Sequence, residues 1–138
     1  MTKLNIIFQI STGIITDDNG LTLSILAYAG NNKRVPQNPN KLQGKNNAFY
    51  CDTHNIGPLP PGIYSIGAWG SYNVGQNAAP LTPISCPELY GRGGFYIHGQ
   101  EEPGNINYGE ESEGCCVVPH NDRLKIIALK PTQLTVIL

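Results

Sequence analysis

Charge is scarce in this sequence, and what there is nearly cancels. Lys and Arg number 9 against 10 Asp and Glu, a formal net charge of -1 over 138 residues. A nucleic-acid surface needs clustered Lys and Arg, so the composition argues against that class of partner. Long apolar runs are missing too, and nothing approaches the roughly 20 residues that span a bilayer. MTKLNIIFQIST carries one early Lys but neither a continuous apolar core nor a small-residue cleavage site, so no secretory signal is read there. The expectation is a soluble product made in the cytoplasm, for which any role beyond the membrane needs a separate export route. Cysteine is sparse as well. Cys51, Cys86, Cys115 and Cys116 are too few for a disulfide scaffold, although one Cys51–Cys86 bridge stays open for an oxidising space.

What the chain has in quantity is glycine, 16 residues, and proline, 11 residues. That suits many strands and turns better than a helical bundle. An apolar fraction of 40 % argues against wholesale disorder, and 138 residues suffice for one domain, 1–138, with a real core. LNIIFQIS alternates roughly apolar and polar, DDNG at 17–20 is a turn signal, and LTLSILAYAG resumes the alternation. NNKRVPQNPNKLQGKNN at 31–47 is polar and reads as a long surface loop. Pro58, Pro60 and Pro61 set an extended lead-in to a strand at GIYSIG. After another loop, GFYIHG gives a strand ending at His98, and GCCVV one beginning at Cys115. Pro119 starts a short helix through NDRLKIIAL, and TQLTVIL is the final strand. The expected fold is mainly β with one short helix near the C-terminus.

The chemistry gathers between Phe95 and Val117, in FYIHGQEEPGNINYGEESEGCCV. A thiol becomes a useful nucleophile when a base or local positive potential favours the thiolate. His98 is such a base if its strand lies beside the one that starts at Cys115. Ser112, Glu113 and Gly114 make a tight turn before the cysteine, and Gly114 lets backbone N–H groups converge on a developing oxyanion. Glu101, Glu102, Glu110, Glu111 and Glu113 crowd the same stretch, and negative charge beside Cys115 would oppose the thiolate. They are expected to point to solvent, or to form a lid that recognises cationic groups or a basic partner. On the residues alone a structural thiol, a disulfide and a metal site stay open. Cys51-Asp-Thr-His54 has a C-x-x-H spacing to which His98, His120 and the cysteine pair could add. No second chelating pair is well spaced, and zinc would quench the thiolate, so no metal and no cofactor are expected. Papain-like hydrolases usually place Cys before His, the reverse of the order here.

GRGGFYIHG followed by SEGCCVVP resembles the active-site segment of L,D-transpeptidase-like cysteine enzymes, and GPLPPGIYSIG resembles their Gly-Pro-x-Pro-x-Gly-x-Tyr lead-in. The similarity is greatest to the compact branch that includes type VI secretion effectors, and it runs from about Leu4 to the last strand. It implies a β-sandwich or barrel with Cys115 as nucleophile, His98 as base, and Ser112 and Gly114 as the turn before the nucleophile. Arg92, Gly99 and Tyr96 become substrate-binding residues, with Arg92 gripping a carboxylate. Two departures concern substrate handling: Glu113 stands where many relatives have His, and Val117 where they often have Arg. The implied function is cleavage or exchange of the terminal D-alanine of peptidoglycan tetrapeptide stems, as an antibacterial effector acting in the periplasm of a target bacterium. The implied partners are the stem peptides, a cognate immunity protein and type VI secretion components. The alternatives are a non-catalytic peptidoglycan-binding module and a housekeeping L,D-transpeptidase.

Overall fold

A computed structural model describes residues 4–32, 43–99, 112 and 114–138. Ten strands and one helix follow in the order β1 (Asn5–Gln9), β2 (Ile14–Asp17), β3 (Thr22–Ser24), β4 (Tyr28–Ala29), β5 (Gly62–Ile66), β6 (Gly70–Tyr72), β7 (Gly75–Ser85), β8 (Phe95–His98), β9 (Cys116–Val117), α1 (His120–Leu129) and β10 (Gln133–Ile137). The hydrogen-bonded path is β3-β2-β1-β10-β5-β7-β8-β9-β4, with β6 paired only to β7. The first and last strands of that path, β3 and β4, are separated in the chain by residues 25–27 alone. The four steps from Ser24 to Tyr28 span at most about 14 Å, so the sheet has to curl until its two ends come near each other. This is the barrel-like closure that disposes of most open edge.

Closure gives every strand an inside, and the sequence alternation fills it. Ile6 and Phe8 of β1, Leu134 and Val136 of β10, Tyr64 of β5, Leu81 of β7, Phe95 and Ile97 of β8, Cys116 of β9 and Ala29 of β4 join one buried cluster. Each large side chain in it contributes about 1.5–3 kcal/mol. Helix α1 adds Ile126. Pro119 precedes the helix as its N-cap residue, and Lys130 ends it in a left-handed conformation (φ 54°). Tyr64 lies edge-on to Phe95 at 6.1 Å, and its hydroxyl donates to the Pro60 carbonyl at 2.6 Å. The proline lead-in therefore serves as the acceptor for the one polar atom that this core tyrosine carries inward.

Three sequence readings need correction. LTLSILAYAG is not one strand: β3 stops at Ser24, Ile25 and Leu26 are exposed, and β4 begins at Tyr28. The Ala27 N–H turns away to the Gly13 carbonyl at 3.1 Å, which carries the chain to the other end of the sheet. The stretch between β5 and β8 is not only loop, because it holds β6 and the 11-residue β7. Pro80 and Pro83 conceal β7 in the sequence; the second sits opposite Tyr64 beside a bulge at Ile63/Tyr64, where a missing N–H is tolerated. The segment read as a surface loop at 31–47 begins with the fully buried Asn31 and ends by pairing with the sheet. Asn46 takes and gives a hydrogen bond with Ala29 along the edge of β4, at 2.9 and 2.8 Å. Residues 33–42 of that segment lie outside the described part. Among the described residues no helix is long and apolar enough to cross a membrane.

Candidate active site

β8 and β9 are parallel neighbours in which Ile97 pairs with Cys116 and His98 with Val117. Side chains alternate across a strand. Phe95, Ile97 and Cys116 face the core, so Tyr96, His98 and Cys115 project from the opposite face. Strands lie about 4.8 Å apart and rise about 3.3 Å per residue, so the Cα atoms of Cys115 and His98 are about 8 Å apart. A thiol and an imidazole extended toward each other can close that gap. The topology thus places His98 and Cys115 on one face of neighbouring strands, although residues 99–114 separate them in the chain.

The Cys115 thiol receives the Tyr96 N–H at 3.3 Å and lies 4.0 Å from the Gly94 carbonyl. A donor aimed at the sulfur suits a thiolate. His98 is 4 % exposed, and its Nδ1 is 2.6 Å from the Gly99 carbonyl. A carbonyl only accepts, so Nδ1 carries the proton and Nε2 is left as the basic nitrogen. Burial pushes the His98 imidazole below its usual range; the Gly99 hydrogen bond opposes this, and the nearby Arg123 adds to it. The direction of the shift favours the neutral imidazole near pH 7. The Gly99 carbonyl therefore orients the His98 ring. Tyr96 is partly exposed, and its ring leans on Tyr72 of β6 at 5.4 Å, so the β6–β7 hairpin supplies an aromatic wall beside the thiol.

The turn before Cys115 is held from inside. Ser112 is fully buried; its hydroxyl accepts the Gly30 N–H (2.9 Å) and the Gly114 N–H (3.1 Å) and donates to the Cys115 carbonyl at 2.5 Å. Gly114 was expected to let backbone N–H groups converge on a developing oxyanion; its own N–H is engaged by Ser112. What position 114 requires is space: its φ is 138°, and a Cβ there would sit 2.6 Å from Arg92 Nη2 and 2.8 Å from Phe95 Cε1. Asn31, which the sequence reading left in a loop, donates to the carbonyls of Asn55 (2.8 Å) and Ser112 (2.5 Å) and ties the turn to the chain before β5. A buried Asn in a polar segment leaves no local signal that could have singled it out. Of the five clustered glutamates, all lie outside the described residues.

Arg92 was expected to grip a substrate carboxylate, and the structure assigns its guanidinium elsewhere. It is 7 % exposed, stacks 5.3 Å above the Phe95 ring, and donates to the carbonyls of Cys51 (2.6 Å), Pro58 (2.6 Å) and Gly57 (2.9 Å). Burial lowers its pKa, while Cys51, Tyr64, Cys115 and Asp52 pull the other way. Arg92 is thus a buried cation that braces the chain before β5 within electrostatic reach of Cys115. Arg92→Met, which leaves those carbonyls unmatched, should lower the unfolding free energy by about 2–4 kcal/mol. Urea denaturation of the two proteins checks it, and an unchanged midpoint would remove the bracing role.

The remaining thiols and histidines sit apart from this face. All four cysteines are free, so the open Cys51–Cys86 bridge is not formed. Burial raises the Cys51 thiol, with Arg92 opposing, and raises Cys116 well beyond the usual thiol range. His54 meets the Tyr90 carbonyl at 3.1 Å, while Cys51 faces the Leu59 carbonyl at 3.9 Å. Among the described residues no three Cys, His, Asp or Glu side chains gather where they could hold a metal ion. The sequence reading missed Arg123, which comes from α1 and lies against Gly99. Its one sequence signal is its place three residues before Ile126, on the face of α1 that turns inward.

No protein-family model matches the chain, and no curated protein matches it in sequence. Solved structures do match it in shape. An L,D-transpeptidase from Mycobacterium smegmatis superposes with a TM-score of 0.52 at 13 % identity, covering 99 % of this chain and 59 % of that one. Residues 123–326 of the L,D-transpeptidase from Xylanimonas cellulosilytica superpose with a TM-score of 0.52 at 14 % identity, covering 98 % and 60 %. The chain spans about three fifths of the length of these structures. This mainly β chain, with its single helix near the C-terminus, has the L,D-transpeptidase fold.

Proposed function

We propose that the protein is a cysteine enzyme that cleaves or exchanges the terminal D-alanine of peptidoglycan tetrapeptide stems. The observation that carries this reading is the pair Cys115 and His98 on one face of the parallel strands β8 and β9, with Nδ1 held by Gly99, inside an L,D-transpeptidase fold. His98 Nε2 takes the thiol proton, and the sulfur attacks the carbonyl of the L-centre that precedes the D-alanine. As the tetrahedral adduct collapses, the C–N bond breaks and His98 returns that proton to the departing amine, leaving a thioester on Cys115. Water, deprotonated by the same nitrogen, then releases a tripeptide and restores the thiol. A free D-amino acid or a second stem attacking instead gives exchange or cross-linking. Arg92 adds positive potential near the sulfur, and Tyr96 with Tyr72 forms a wall for the stem.

The test is mass spectrometry of muropeptides incubated with purified protein. Tetrapeptide stems should become tripeptides or exchange their last residue, and the glycan should stay uncut, since among the described residues no paired carboxylates of raised pKa stand beside Cys115 and His98. Pentapeptides ending in D-Ala-D-Ala should react poorly. Glycan cleavage alone, or efficient cutting of pentapeptides between the two D-alanines, would overturn the reading. The role as a type VI secretion effector, active in a target periplasm and neutralised by an immunity protein that covers Cys115, rests on the sequence resemblance alone.

A further inference from the structure

Arg123 is a buried cation with an incomplete set of partners. It is 7 % exposed, meets no carboxylate among the described residues, and its Nε has no hydrogen-bond partner. Burial lowers its pKa, so the fold tolerates a costly charge here. What the guanidinium does touch surrounds His98. Nη1 donates to the Val118 carbonyl at 2.7 Å, and the Val118 N–H donates to the His98 carbonyl at 2.9 Å. The guanidinium also lies directly against the α-carbon of Gly99. A Cβ at that position would collide with Nη1 and come within 2.6 Å of Cζ and 2.8 Å of Nη2. Gly99 is the residue whose carbonyl holds His98 Nδ1.

We propose that Arg123 is the positioning residue of the His98 base: its guanidinium is the floor on which the Gly99 peptide rests, and it thereby fixes the carbonyl that keeps Nδ1 protonated and Nε2 basic. The proposal rests on the cysteine-enzyme reading for its catalytic consequence only. A planar, permanently charged group suits the task better than an apolar side chain, because it both supports the peptide and disfavours a second positive charge on the imidazole. The direction of the His98 shift agrees, since Arg123 contributes to lowering it. Among the described residues, the other titratable groups on the elements beside the imidazole are Cys115 before β9, His120 of α1, which approaches Arg123 Nη2 at 3.4 Å, and Tyr28 of β4 with Lys45 above its ring at 4.3 Å. Tyr28 and His98 both pair with Val117, from opposite sides.

The experiment compares the parent, Arg123→Met, Arg123→Lys and Gly99→Ala proteins by three readouts. These are D-alanine release from tetrapeptide stems, the rate of Cys115 alkylation against pH, and NMR of the His98 ring nitrogens through a pH titration. In Arg123→Met turnover should fall by on the order of 10²-fold, as expected for a misplaced base. The His98 midpoint should rise toward its ordinary value, and the Nδ1–H signature should be lost. Arg123→Lys should keep the low midpoint, because the charge remains, yet still lose turnover and the Nδ1–H signature. Gly99→Ala, which pushes on the same contact from the other side, should lose the Nδ1–H signature as well, and carries the test if Arg123→Met does not fold. Retention of the parent's tautomer, midpoint and alkylation profile in the folded variants would overturn the proposal. If the parent protein releases no D-alanine, the cysteine-enzyme reading fails, while the NMR and alkylation arms still decide the role of Arg123.

Discussion

Cys115→Ala should release no D-alanine from a tetrapeptide stem while unfolding within about 1 kcal/mol of the parent, as expected for a partly exposed side chain that contributes little to the core. On the proposed mechanism the effect is total, because the thiol is the atom that would form the acyl bond and binding of the stem would not replace it. The neighbouring cysteine separates chemistry from packing. Cys116 is fully buried on the core side of β9, so Cys116→Ala should keep turnover and lose about 1 kcal/mol of stability. Cys116→Ser should be less stable, since it places a hydroxyl in an apolar cluster at a cost of about 1–3 kcal/mol. Alkylation should follow the same division. An iodoacetamide-type reagent should modify Cys115 first, because burial and the adjacent Cys115 both raise the Cys116 thiol and keep it protonated. Normal turnover by Cys115→Ala, or its loss in a folded Cys116→Ala protein, would move the nucleophile elsewhere.

The second large effect belongs to His98. His98→Ala should reduce turnover by at least about 10²-fold, the range typical of a lost general acid–base. His54→Ala should change it little, since that ring rests on the Tyr90 carbonyl in an exposed segment. His98 also sets the pH dependence of rate and of stability. Its pKa in the folded protein lies below the ordinary 6.5, so the acid limb of the rate profile should fall below that value. For stability the sign follows from proton counts: between the two pKa values the unfolded chain binds the proton and the folded one does not. The contribution of His98 is therefore fully present above about pH 6.5 and is lost as pH drops through the folded pKa. His98→Gln should flatten that part of a stability–pH curve measured by urea titration. An unaltered curve would mean that His98 has the same pKa folded and unfolded.

Short-range pattern made much of this protein legible. The alternation in NIIFQ, GIYSI and QLTVI marks β1, β5 and β10, whose inward residues pack into one cluster. DDNG marks the turn before β3, where Asp17 Oδ1 accepts the N–H groups of Asn19 and Leu21 at 2.8 and 2.9 Å. His98 and the Ser112-to-Cys115 turn stand out as candidate base and nucleophile through the family resemblance of their segments. Each of these signals is local, since side-chain alternation and turn chemistry depend on residues a few positions apart.

Long-range contacts assigned the rest. No spacing rule places β3 and β4 at opposite ends of one curled sheet, or threads β7 through two prolines. Residue type alone made Arg92 a carboxylate clamp; burial beneath three backbone carbonyls made it a brace. Likewise Gly99 orients the His98 ring and Gly114 makes room for Phe95 and Arg92, because a glycine's use depends on what approaches it. Arg123 stands 25 positions after His98 in the chain (123 minus 98) and reaches the Gly99 peptide only because α1 packs back over the sheet. The residue types needed for thiol chemistry can be read in order along the chain. Which cation meets which carbonyl, and which nitrogen of His98 holds the proton, depends on distances between segments that are remote in sequence and so are set by packing.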